Sequence, residues 1–232
     1  MKLLMALLVS LLIFSNSSAA NYLLELSSLN DPVTDISQNI LKEAYKQIGY
    51  DLKIKKLPAE RALIESNRGS TDGEVNRLQG INKKYVNLIM VSTPVNKFEG
   101  IAFTRDRVLP IDGWESLGSY KIVIRRGAKF AEKGTKGMVA YRVTTYEQVF
   151  KLLSLGRYDV GIASRLTGLS QIKKQNLIGI KAIEPPLMTN NLYHYLHKKH
   201  KDIVPKINAV LLKMRKEGII AKIRNKYIKE NF

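Results

Sequence analysis

The chain's 232 residues include 38 Lys and Arg against 20 Asp and Glu, a formal net charge of +18, and no cysteine. Without Cys there is no disulfide framework, and there is no lipid-modified cysteine to tether the chain as bacterial lipoproteins are tethered. The charge draws polyanions and anionic solutes through its summed field. The basic residues are not gathered in one arm or interleaved with stacking aromatics, so they read as solvated helix faces and no nucleic-acid partner is expected.

Lys2, the twelve apolar or small residues from Leu3 to Phe14 and the run SNSSAA have the charged, apolar and small-residue regions of a secretory leader. This signal peptide spans residues 1–20, with cleavage after Ala20. Its apolar run is shorter than the roughly 20 residues of a spanning helix, and no later segment is long and apolar enough, so no membrane span is expected once it is removed. The mature chain then begins at Asn21 and has 212 residues, room for two domains of about 100 residues each. An exported chain with no disulfide and no tether points to the periplasm of a Gram-negative cell.

In chain order, Tyr22 to Ser28 alternates as a strand, and LNDPVTD is a loop ending at an N-cap, Thr34 or Asp35. Ile36, Ile40, Leu41, Ala44 and Ile48 keep helical spacing up to Gly49, and Asp51 to Leu57 is the next strand. Leu57 to Leu78 begins at a strand end closed by Pro58. A short helix with Ala62, Leu63 and Ile64 follows, then a break at Gly69 and a turn at Asp72-Gly73. Both turns are expected at one edge of the sheet. There Glu60, Arg61, Asp72, Glu74 and Arg77 would face a ligand, since open α/β sheets bind at the carboxyl ends of their strands. Asn87 to Ser92 and Phe98 to Thr104 are further strands.

A second series starts at Tyr120 to Ile124, with RRGAKFAEKG as a Gly turn opening a short helix. Val139 to Val143 is a strand, Thr144 to Leu155 a helix capped by Thr144 or Thr145, and Tyr158 to Ala163 a strand ending at Ser164. Leu166 to Gln175 is helical, and Leu177 to Ile183 is a short strand. EPPLMTNN then crosses to the strand LYHYLH, and Asp202 to Phe232 forms two basic amphipathic helices divided at Gly218. Two successive strand and helix series imply two α/β lobes.

Four segments in this order carry a family resemblance: LPAERAL with its following Gly and Asp-Gly at Leu57 to Gly73, WESLGSYKIVIRRG at Trp114 to Gly127, YEQVFKLLSLGRYDVGIAS at Tyr146 to Ser164, and LLKMRKEGIIAKIRNKY at Leu211 to Tyr227. The chain resembles an extracellular solute-binding protein of family 3, the group with the amino-acid receptors of ABC importers. The resemblance implies an α/β periplasmic-binding-protein fold with a ligand cleft between two lobes. Lobe 1 would comprise residues 21–104 plus 187–232, and lobe 2 residues 105–186. Two crossing strands, near Phe103 to Leu109 and Pro185 to Asn191, would join them. The implied activity is capture of a small solute by hinge closure and delivery to an ABC permease in the inner membrane, by a monomer without cofactor.

Two family positions depart from the pattern. The first-lobe stretch LQGINKKYVN has Lys83 and Lys84 but no Arg to hold a ligand carboxylate. Ser164, followed by Arg165, stands where an Asp would take the ligand ammonium. A cationic lining is the alternative: Arg126-Gly127-Ala128-Lys129 opens a helix toward an anionic oxygen, joined by Arg61, Arg77 and Arg165. The competing possibility is that these arginines pair with Glu60, Glu65 and Glu74. The expected ligand contacts are Asn30, Arg61, Asp72, Gly73, Glu74 and Arg77 in lobe 1, and Gly127, Ala128, Lys129, Ser164 and Arg165 in lobe 2.

Other chemistries find less support. His194, His197 and His200 form an H-x-x-H-x-x-H run, but in a strand the first two point to opposite faces and lysines surround them, so an exposed polar run is expected and no metal. No nucleophile elbow, zincin, P-loop or dinucleotide motif is present, so an enzyme is not expected. The cleft carboxylates of a dehydratase-like enzyme on this fold would be Asp72 and Glu74. A ligand-sensing module for a membrane receptor is the other alternative. Tyr22, Trp114, Tyr141 and Tyr193 are candidates for stacking on a ligand, though such spacings belong more often to cores.

Overall fold

The computed structural model describes residues 22–106 and 108–232, so the expected leader and Asn21 lie outside the described residues. β1 (Tyr22–Ser28) leads into α1 (Pro32–Lys46), β2 (Tyr50–Lys56), α2 (Ala59–Arg68) and β3 (Gly73–Leu78). The expected N-cap moves to Asp31, whose carboxylate accepts from Thr34 N–H at 2.9 Å, because Pro32 at the first helical position has the helical φ already set. Ile36, Ile40, Leu41 and Ala44 make the buried stripe of α1. At the end of α2, Gly69 takes φ +80°, with the His197 ring against it.

β3 was expected only as a turn and is a strand. It pairs parallel to β1 with Gly73 level with Leu26. Asp72 and Gly73 therefore stand at the amino end of β3, while Pro58 follows the carboxyl end of β2, so the two turns fall at opposite ends of their strands. It is the far end of β3, Asn76 to Leu78, that runs past β1 toward the ligand edge.

The chain continues through β4 (Leu88–Met90), β5 (Asn96–Arg105), β6 (Ile122–Arg125), α3 (Lys129–Gly134) and β7 (Ala140–Val143). Then come α4 (Tyr146–Ser154), β8 (Val160–Ser164), α5 (Arg165–Lys174), β9 (Ile180–Ala182), β10 (Met188–His197), α6 (Val204–Lys216) and α7 (Ile219–Asn231). Thr145 caps α4 in a capping box with Gln148. The sheet runs β2-β1-β3-β10-β5-β8-β6-β7, with β4 beside β10 and β9 beside β5, so β2 and β7 are its outer edges.

β5 and β10 join the halves. They pair antiparallel over Asn96–Gly100 and Met188–Leu192, after which β10 turns to β3 and β4 while β5 turns to β8 and β9. The first crossing is thus at Asn96 to Gly100, before the expected Phe103 to Leu109, because Phe103 already pairs with Gly161 and Ala182. The second overlaps the expected Pro185 to Asn191.

Apolar clusters follow the same division. One combines α1, β1 and α6 with partly buried residues of α7, and two others surround β6 and β8. α5 belongs to both sides: its Leu166 and Leu169 pack into the first cluster although it follows β8 directly. Contrary to the expected even spread of charge, residues 198–232, which include α6 and α7, contain eleven Lys and Arg against three Asp and Glu, a net +8. Among the described residues, no helix is long and apolar enough to cross a membrane.

Candidate ligand-binding cleft

A cavity of about 430 Å³ opens where the two halves meet. Leu29, Asp31, Val33 and Thr34 reach it from the end of β1 and the first turn of α1, Leu63 from α2, and Asn76, Arg77, Leu78 and Ile81 from the end of β3. Phe98 and Leu192 come from the crossing strands. Tyr146, Ser164 and Thr167 come from the first turns of α4 and α5 on the opposite side. The walls are chiefly apolar, and among the described residues Asp31 and Arg77 are the only charged ones lining it.

Each polar wall group is held from behind. The Thr34 hydroxyl lies 3.0 Å from Asp31 Oδ2 and 3.3 Å from Asn76 Oδ1. Asn76 Nδ2 donates to Ser37 Oγ at 2.6 Å, and Asn96 Nδ2 donates to the same oxygen at 3.1 Å. Ser164 caps α5, accepting from Thr167 N–H, and its hydroxyl donates to Thr167 Oγ1 at 2.7 Å. Arg77 Nε donates to Glu74 Oε2 at 2.8 Å and its Nη2 to the Ala59 carbonyl at 3.0 Å. Burial raises the Glu74 carboxyl above its ordinary pKa against the pull of Arg77. Behind Tyr146, the Arg125 guanidinium stands 5.1 Å from the ring centroid, and its buried Nε has no hydrogen-bond partner among the described residues.

Of the eleven expected contacts, Arg77 and Ser164 line this cavity. Asn30 sits between two lining residues but is exposed and accepts from Lys56 Nζ at 3.2 Å. Arg61 pairs with Glu65 at 2.9 Å on the surface. Asp72 faces Lys199 and His200 at 2.8 and 2.7 Å and accepts from Glu25 N–H. Burial tends to raise its pKa, but these donors outweigh that and hold it below the usual range. Gly73 lies against the backbone of Tyr195, and Glu74 is buried under Arg77. The carboxylates named for dehydratase-like chemistry therefore do not reach the cavity.

The anion cradle expected at Gly127 is already filled. Glu132 Oε1 accepts from Gly127 N–H at 2.7 Å while its Oε2 meets Lys129 Nζ at 3.0 Å, and Ala128 is packed in the core. Arg165 is bound by Glu99 and Glu184 at 2.9 and 2.5 Å. The cationic lining thus reduces to Arg77, itself paired with Glu74, since none of the other expected cations is among the residues lining the cavity.

The histidines are not an exposed run. His194 is fully buried, donating from Nδ1 to the Glu74 carbonyl at 2.7 Å and accepting from the Tyr45 hydroxyl at 2.8 Å. His197 packs on Gly69, and His200 bonds Asp72. Among the described residues no group of His, Cys, Asp or Glu is placed to hold a metal ion. Tyr22 stacks near Tyr50, Tyr141 on Tyr158, Trp114 lies over Gly134, and Tyr193 packs beside Tyr85 and Leu88, so none of these aromatics lines the cavity. The aromatics that do, Phe98 and Tyr146, were missed. Tyr146 had a signal in the sequence, since it opens a helix directly after a strand and its cap.

No protein-family model matches the chain. An uncharacterized protein of Shewanella oneidensis is 28% identical over 196 residues, covering 80% of this chain and 73% of that protein. Among solved structures, the probable amino-acid ABC transporter extracellular-binding protein ytmK of Bacillus subtilis superposes with a TM-score of 0.74 at 14% identity, over 89% of this chain and 98% of that one. An ancestral arginine-binding protein bound to arginine gives 0.65 at 17% identity, over 90% and 99%. A histidine kinase sensor domain with similarity to periplasmic binding proteins gives 0.65 at 15%, over 90% and 96%. The fold is the two-lobe fold of periplasmic binding proteins.

Proposed function

We propose that this chain is a periplasmic solute-binding protein that closes its two lobes over a small, amino-acid-like solute with an apolar body and delivers it to an ABC importer. The observation that carries this reading is the cavity of about 430 Å³ lined from both halves of the sheet and floored by the crossing strands. Concave, mostly apolar sites with a few fixed polar groups are the usual form of small-ligand pockets. The lobes would divide where β5 and β10 pair, near Gly100 and Met188. Asp31 and Arg77 would orient the polar end of the solute, while Phe98, Tyr146, Leu78 and Leu192 would cover its apolar part. The fold similarity to amino-acid-binding proteins supports the solute class, and the sensor-domain similarity supports a second reading, a receptor module using the same cleft.

A thermal-shift screen of residues 21–232 against apolar amino acids, arginine, glutamate, sugars and short peptides tests the reading. A ligand at 100 times its dissociation constant adds about 2.7 kcal/mol. A shift with an apolar amino acid that is lost on Asn76→Leu is the expected result. A shift confined to sugars or peptides, or one that Asn76→Leu leaves intact, overturns the assignment of solute and site.

A further inference from the structure

A second cavity, of about 220 Å³, lies on the back of the crossing strands, away from the cleft residues. Pro94, Val95 and Lys97 line it from β5 and the turn before it, Asn191 from β10, and Arg215 and Arg224 from α6 and α7. Among the described residues no acidic one lines it. Two of its cations share one carboxylate with Arg165, which lies outside the lining: Glu99 Oε1 meets Lys97 at 2.6 Å, and Glu99 Oε2 meets both Arg224 at 3.0 Å and Arg165 at 2.9 Å. Arg165 has a second partner in Glu184, while among the described residues Arg215 has no carboxylate within ion-pair distance. Three lining cations, Lys97, Arg215 and Arg224, thus stand against one carboxylate, which Arg165 also shares.

The three lining cations differ in exposure, Lys97 and Arg215 being exposed and Arg224 not. Arg224 is largely buried, with Nη1 donating to Asn96 Oδ1 at 2.8 Å, and burial lowers its pKa below the ordinary arginine value. Uncompensated charge at a partly desolvated site favours a counter-anion more than the same charge on an open surface does. The remaining wall is apolar, from Pro94, Val95, Ile220 and Ala221, so the complement is an anion carrying a short apolar body. The first turn of α7, which has no side-chain N-cap, adds positive potential of the same sign.

We propose that this cavity is a second ligand site, distinct from the cleft, that binds a small organic carboxylate through Lys97, Arg215 and Arg224. Its apolar floor would take the ligand's alkyl group. Because Asn96 and Arg224 also connect to Ser37 and Asn76 by hydrogen bonds, the site shares a polar network with the cleft wall.

The test is ¹H–¹⁵N NMR of residues 21–232 titrated with sodium butyrate at constant ionic strength, with butyramide as the neutral isostere. Butyrate should produce saturable shifts at Val95, Lys97, Ala221 and Arg224 Nε, and butyramide none. Arg215→Gln, an exposed substitution, should weaken butyrate binding about tenfold, whereas Tyr146→Leu in the cleft, outside that network, should leave it within twofold. Equal shifts from butyramide, shifts that rise linearly and are matched by sodium chloride, or saturation confined to Leu29, Tyr146 and Ser164 would each overturn the proposal.

Discussion

His194 carries its tautomer on its surroundings. A backbone carbonyl can only accept, so the proton sits on Nδ1 toward Glu74, and Nε2 is left to accept from Tyr45. Burial pushes the imidazole pKa down to about 4. An unfolded histidine titrates near 6.5, so between these values the unfolded chain binds a proton that the folded chain does not. Stability from this group is full above about 6.5 and falls as pH falls toward 4, by at most about 1.4 kcal/mol per pH unit. Urea unfolding at pH 7, 6 and 5 should show the fall, and His194→Gln should flatten it while lowering stability at pH 7. Tyr45→Phe should cost about 1–2 kcal/mol in the same assay by orphaning Nε2. Arg77 is a comparable case. Arg77→Met strands the buried Glu74 carboxylate and should cost about 3 kcal/mol, most of it recovered when Glu74→Gln is added. Residue chemistry was only partly legible from the sequence. Ser164, read from its place at a strand end, lines the cavity, whereas Lys129 pairs with Glu132, which reaches back to close the turn.

Among the elements, α5 has the tightest fit. A Cβ on Gly168 would fall 2.0 Å from the ring of Phe103 on β5, so only a hydrogen there lets the helix lie flat on the strand. Gly168→Val should lift α5, displace Ser164 and Thr167 from the cleft, and weaken ligand binding by calorimetry more than tenfold. Thr145→Ala should remove the cap of α4 for about 1 kcal/mol in urea unfolding. Helices and apolar strands were readable from period and caps. β3 was not, because GEVNRL lacks β-branched residues apart from Val75 and buries Glu74 and Asn76 through hydrogen bonds that no linear pattern reveals. β10 was split in two for a related reason: polar Asn190 and Asn191 fall in its middle, where it crosses between halves.

For the whole molecule, the two α/β series foretold two lobes, but not that α5 would pack its Leu166 and Leu169 into the first cluster and bond Lys173 Nζ to the Asn231 carbonyl. These contacts, with Arg165 on Glu99, latch the second series against the first. The substitution pair Leu166→Ala and Leu169→Ala should therefore favour separated lobes, seen as a larger radius of gyration by X-ray scattering that ligand restores only in part.

Among the described residues the sheet also ends in two strands with no outer neighbour, β2 and β7. Such edges invite a second copy to add its own strand. On β2 the deterrent is Lys53, Lys55 and Lys56, whose carboxylate partners Glu25, Glu65 and Asp35 all belong to this same chain. A docking copy would bring another row of lysines, so apposing two such edges carries an electrostatic and desolvation cost. At 1 M salt, where screening shortens to about 3 Å, or with the three lysines changed to threonine, light scattering should report self-association that the parent chain resists at low salt.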